Sequence, residues 1–110
     1  PKGIVGAWAA DQTNIKTQTY FFFSNGKFMM VDPIGSPQQA ENCDPGVEFA
    51  SYTYDAGSKA LTIKGFTYDT NGCAGFSETG ASSFNLSADG NTATLEKQDK
   101  SSISLYRISK

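Results

Sequence analysis

The chain has 110 residues, 38% of them hydrophobic, 13% aromatic and 18% charged, with no histidine and a formal net charge of −2. That length predicts one domain, large enough to bury a core of its own, and the apolar share excludes a disordered chain. The small negative charge without any basic run predicts no nucleic-acid partner, and no apolar run reaches the ~18 residues that a membrane-spanning helix needs.

Residues 4–10 read as a first strand, with Ile4, Gly6 and Trp8 on one face by the period of two. Two β-rich runs follow, residues 17–23 and 27–32, with Asn25-Gly26 between them. That dipeptide predicts a two-residue type I′ hairpin turn. The register then sets Phe23 opposite Phe28, Phe22 opposite Met29, Phe21 opposite Met30 and Tyr20 opposite Val31. One face carries Phe21, Phe23, Phe28 and Met30; the other carries Tyr20, Phe22, Met29 and Val31. Both are apolar, whereas a half-solvated antiparallel sheet alternates apolar with polar. The second face is therefore either covered or a binding surface.

Asp32-Pro33 ends the strand, because proline cannot donate to a ladder. The segment up to Gly46 has no periodicity and holds Pro33, Pro37 and Pro45, so it reads as a long loop. A second hairpin spans residues 46–68, turning at Asp55-Ala56-Gly57-Ser58-Lys59. In its first strand the apolar set changes parity, from Val47 and Phe49 to Tyr52 and Tyr54, which predicts a bulge near Ala50-Ser51. The second strand shows the same change, from Leu61 and Ile63 to Phe66 and Tyr68. Residues 69–81 are a Gly-rich loop. Strands follow at 83–87 and 92–97, turning at 89–91, and a last strand at 103–108. Phe84, Leu86, Ala93, Leu95, Ile103 and Leu105 supply their inward faces. Eight strands joined by turns and loops, with no helical stretch, predict an all-β fold. An up-and-down antiparallel meander closed into a barrel is preferred over a sandwich, since closure removes the edges.

Cys43 and Cys73 both lie in loop-like sequence. A disulfide between them would close a loop of about 30 residues and stabilise the fold by roughly 3–4 kcal/mol. It would also place the chain in an oxidising compartment: secreted, periplasmic or on the cell surface. Two unrelated free thiols are the alternative. A first residue of proline rather than methionine is expected of a processed product or an excised fragment.

The two ends of the chain carry a resemblance. Gly6-Ala7-Trp8 resembles the G-x-W of lipocalin-like (calycin) barrels, and Arg107 looks like the arginine that those barrels pack over the tryptophan. The resemblance implies that the first and last strands meet, with Arg107 over Trp8, and that a small apolar ligand is held inside. The middle of the chain, GVEFASYTYD and then DTNGCAGFS, resembles segments of uncharacterised bacterial secreted proteins and lipoproteins. That likeness implies an exported β-domain with no assigned reaction.

No catalytic constellation stands out. Without histidine the common proton relays are missing, and no serine sits in a G-x-S-x-G elbow. Glu48 with Asp55, and Asp69 with Glu78, read as solvated carboxylates. Asp69-Thr70-Asn71-Gly72 begins like a calcium loop but lacks a third alternating ligand, and an Asx turn explains it better. Neither an enzyme activity nor a cofactor or metal is expected. Asn85-Leu86-Ser87 is a formal glycosylation sequon within a strand. Tyr20, Phe22, Tyr52, Tyr54 and Tyr68 have no forced place in the core and are candidate binding residues, unless a loop covers them or bulges turn some inward. The function expected is an exported, non-enzymatic module that binds a protein or cell-surface partner through loops and exposed aromatics. The alternative is a carrier of a small apolar ligand in the barrel interior.

Overall fold

In the computed structural model the residues described are 3–10, 18–32, 46–69, 81–98 and 100–108. Eight strands follow in chain order: β1 (Gly6–Ala9), β2 (Thr19–Phe22), β3 (Lys27–Asp32), β4 (Gly46–Asp55), β5 (Ala60–Asp69), β6 (Ala81–Leu86), β7 (Thr92–Lys97) and β8 (Ser102–Arg107). Each pairs antiparallel with the next, and β8 returns to β1, so the sheet is a closed up-and-down barrel. No helix occurs among the described residues. The eight-stranded meander expected from the sequence is the fold. Cys43 and Cys73, the expected disulfide pair, lie outside the described residues.

Closure happens at the lone indole. Trp8 and Arg107 are direct cross-strand partners, and the guanidinium lies 4.2 Å from the centre of the Trp8 ring. Arg107 also donates to the carbonyls of Gly3 (2.6 Å), Val5 (2.9 Å) and Gly90 (2.7 Å). Trp8 Nε1 donates to the Ile4 carbonyl at 3.0 Å. A planar fork of donors suits three carbonyls that converge from two different segments, and a cation over an indole adds attraction of about 0.5–2 kcal/mol.

The β2–β3 hairpin departs from the expected register. Phe23 N donates to the Lys27 carbonyl (2.9 Å) and Gly26 N to the Phe23 carbonyl (3.1 Å), so the loop is Ser24-Asn25-Gly26. Only Gly26 of these three has positive φ (84°), as a type I turn followed by a left-handed residue requires, whereas type I′ needs positive φ at both central residues. One extra loop residue shifts the pairing by one: Phe22 faces Phe28, Phe21 faces Met29 and Tyr20 faces Met30. A one-residue slip moves a strand's whole side-chain set to the other face. Tyr20 and Phe22 therefore point inward with Phe28 and Met30, while Phe21 and Phe23 point outward.

β4 also differs from expectation. Glu48 and Ala50 are buried, and Tyr52 and Tyr54 pack on the core, so this parity runs unbroken along β4 while Val47 and Phe49 take the other one. The register shift does fall between Phe49 and Ser51, but β5 carries the extra residues. Phe49 pairs with Tyr68 and Ser51 with Lys64, a step of 2 on β4 against 4 on β5. Gly65, in that stretch, has φ 71° and open space where a Cβ would stand. Such an irregularity increases coiling, which a small barrel needs to close.

Phe84 sits at the hub of the core. Its ring meets Trp8 (5.2 Å), Phe22 (5.5 Å) and Tyr54 (5.9 Å) edge-on. Leu61, Leu95, Leu105 and Met30 fill the space around it and are all but fully buried. Edge-to-face contacts at these spacings add about 0.5–1.5 kcal/mol each beyond the area that they bury. The short turns at 24–26, 56–59 and 88–91 lie at one end of the barrel. The chain leaves the described strands for 11–17, 33–45 and 70–80 at the other.

Candidate functional site

The outer wall of β1 to β5 holds the exposed aromatics. The pairings Ala7↔Phe21, Phe21↔Met29, Met29↔Phe49 and Phe49↔Tyr68 form one continuous row across five strands. All five residues face outward. Tyr68 is 52% exposed, Phe23 43% and Phe49 40%. The rings lie in two stacked pairs, Phe21 on Phe23 (6.3 Å between centres, 13° apart) and Phe49 on Tyr68 (5.6 Å, 28°). Between the pairs is a groove of about 260 Å³, lined by Phe23, Met29, Phe49, Lys27, Ser51 and Thr67 among others. The next cross-strand row is polar: Lys27 pairs with Ser51, and Ser51 with Lys64.

Of the five aromatics singled out in the sequence, only Tyr68 belongs to this surface. Tyr20 and Phe22 are core residues, 0% and 1% exposed, which corrects their expected place on the outer face. Tyr52 meets Phe22 edge-on at 5.1 Å, and its hydroxyl donates to the Phe23 carbonyl (2.7 Å). Tyr54 donates to the Phe84 carbonyl (2.9 Å) and so ties β4 to β6. Both lean inward and brace the barrel at its short-turn end. Sequence reasoning missed Phe21, Phe23 and Phe49 as surface residues, whereas Met29 does lie on the outer face where it was expected. The signal was present in the two-sided apolar ribbon, but the turn assignment placed its outer side wrongly.

A second polar feature lies inside, toward the other end. Asp32 and Glu48 are the buried acidic residues there, and Tyr20 is beside them. The Tyr20 hydroxyl donates to Gln18 Oε1 at 2.6 Å. Burial first, and then the charges of Glu48 and Asp32, push the Tyr20 phenol well above the ordinary tyrosine range. Glu48 was expected to be a solvated strand residue and is instead fully buried. Asp55, its supposed partner, caps the β4–β5 turn by accepting from Gly57 N at 2.9 Å. Among the described residues no group of three His, Cys, Asp or Glu side chains comes together to hold a metal ion. Asp69 pairs with Glu48 through the backbone ladder, and the rest of the calcium-like stretch, 70–72, lies outside the described residues.

Among the described residues no helix is long and apolar enough to cross a membrane. No protein-family profile, no curated protein and no solved structure matches this chain. The reading of its function therefore rests on the barrel and its surface.

Proposed function

We propose that this chain is an exported, non-enzymatic binding module of lipocalin-like architecture that holds a protein or cell-surface partner against the outer aromatic wall. The single observation that carries this reading is the in-register row from Ala7 to Tyr68, with its two stacked ring pairs on the solvent side. Contiguous exposed aromatics of this kind mark interfaces, where aromatic and Met side chains are enriched. The lipocalin-like element of the reading is supported by Arg107 over Trp8 at the junction of the first and last strands. Export is supported by Cys43 and Cys73 in loop-like sequence, and a thiol titration of the unfolded, unreduced chain is expected to find no free thiol. Two free thiols would remove that support.

The carrier reading has less support in the barrel interior. An eight-stranded interior is either filled by side chains or holds one small ligand. Here Trp8, Phe84, Phe22 and Phe28 are buried in a chain of successive ring contacts. The test is an array of purified cell-surface proteins and polysaccharides probed with the wild-type chain, Phe49→Ser and Thr94→Ala. Binding is expected to fall at least tenfold in Phe49→Ser and to persist in Thr94→Ala. If no bound species depends on Phe49, while a fluorescent fatty-acid analogue binds saturably and quenches Trp8, the carrier reading replaces this one.

A further inference from the structure

We infer that the groove between the two aromatic stacks is a pocket for one apolar side chain of a partner polypeptide, flanked in that partner by carboxylates. This rests on the surface-binding reading above and names the chemistry of its occupant.

Three features of the groove point that way. The first is its size and shape. At about 260 Å³ it lies below the range of about 300–1,000 Å³ that small-molecule sites occupy. Its walls are the rings of Phe23 and Phe49, and Met29 forms part of its lining between them. A deformable thioether between two rings accepts an inserted aromatic or branched side chain by dispersion contact. Interface energy concentrates in such anchor pockets.

The second feature is charge. The chain as a whole carries −2, yet the row beside the groove is Lys27–Ser51–Lys64. Both lysines are exposed, and neither the apolar row nor the lysine row contains a carboxylate. The local sign is opposite to that of the molecule, so the complementary occupant is apolar at its tip and acidic at its flanks.

The third feature is the pairing of the strands that carry the groove: β2, β3 and β4 each have a neighbour on both sides. A partner segment cannot join these three by adding a strand, so at the groove side-chain insertion has to supply the recognition. An anionic lipid surface fits less well. Electrostatic recruitment to membranes uses clusters of about 4–8 basic residues, and here the groove is flanked by two, Lys27 and Lys64.

The experiment is selection of a random nonapeptide display library on the intact, immobilised chain. Enriched peptides are expected to carry an aromatic or aliphatic anchor with Asp or Glu within two positions. Their binding should weaken at least tenfold in Phe49→Ser and at least fivefold in the double variant Lys27→Glu/Lys64→Glu, and should decline with added salt. The charge-reversed variant alters exposed side chains only and keeps the test decisive if Phe49→Ser proves poorly folded. Enrichment of neutral or basic peptides, indifference to the lysine reversal, or no enrichment at all overturns the inference. So does binding to vesicles of phosphatidylcholine and phosphatidylglycerol, or self-association in sedimentation, if Phe49→Ser abolishes it. The two readings fail separately. Phe49-dependent binding to array species without acidic peptides ends this inference alone, whereas loss of all Phe49-dependent binding ends both.

Discussion

The barrel wall has two halves that agree inside and differ outside. Inside, β2 to β5 contribute Phe22, Phe28, Met30 and Leu61, while β6 to β8 contribute Phe84, Leu95 and Leu105; every one of these is buried. Outside, the first half shows Phe21, Met29, Phe49 and Tyr68 in one cross-strand row. The second shows Asn85, Thr94 and Ser104 in an equally regular one. Both halves satisfy the same ladder and the same core, so packing explains the inward residues of each. The polar outer row of the second half is what a solvated sheet face is expected to show. The aromatic outer row of the first half has no such account, and this difference is what locates the candidate site.

The comparison can be broken most forcefully at Phe84. Phe84→Ala is expected to cost about 3–5 kcal/mol in chemical denaturation, because it empties the hub of the core. Phe49→Ser, on the outer row, should stay within about 1 kcal/mol of wild type. Equal losses at the two positions would mean that the outer row is structural, and the binding proposal would lose its foundation.

Next in size is closure. Arg107→Met removes three carbonyl contacts and the cation over Trp8. A loss of about 2 kcal/mol is expected, along with a changed Trp8 emission spectrum, since the charge-assisted bonds have no substitute. An unchanged spectrum would show that the guanidinium does not lie over the indole in solution.

Gly65→Ala should cost about 1–2 kcal/mol from the left-handed backbone alone, since nothing stands within 4 Å of the added Cβ. If it is neutral, the irregularity opposite Ala50 is absent. Tyr52→Phe should cost about 1 kcal/mol by leaving the Phe23 carbonyl without that donor. A null result would leave the β2–β3 loop held by its backbone bonds alone.

The smallest effect vanishes near neutral pH. Burial and two carboxylates raise the Tyr20 phenol above its unfolded value of about 10. The folded state then keeps a proton that the unfolded state releases. Its contribution is complete below about pH 10 and is lost as pH rises beyond that. Denaturation midpoints followed from pH 8 to pH 11.5 should fall, and less steeply in Tyr20→Phe. Tyr52 and Tyr54, raised by burial in the same direction, keep part of the slope. Identical slopes would contradict the burial of the Tyr20 hydroxyl.

Much of the fold could be read from local pattern. Strand β7 and the inward set Phe84, Ala93, Leu95 and Leu105 follow from period-two alternation, because on that half one face is apolar and the other is not. The meeting of Trp8 with Arg107 was visible at the two ends of the chain, and the barrel bears it out. The candidate site was only half legible. The sequence showed that the ribbon at residues 19–32 was apolar on both sides, and hence that something stood outside the core. It could not show which side, since Phe21 with Phe23 and Tyr20 with Phe22 are equally apolar.

Alternation by itself determined an eight-stranded all-β chain and its core on the second half, and the joining of its ends followed from the resemblance that Gly6-Ala7-Trp8 and Arg107 carry. Tertiary structure alone decided the face of β2, the burial of Glu48 and the composition of the outer row. The physical reason is that two turns, differing by one residue, both suit Ser24-Asn25-Gly26. The choice between them lies in contacts distant in sequence: the Tyr52 backbone N–H reaching the Gly26 carbonyl (2.9 Å), the Tyr52 hydroxyl reaching Phe23, and the Phe22 ring against Phe84.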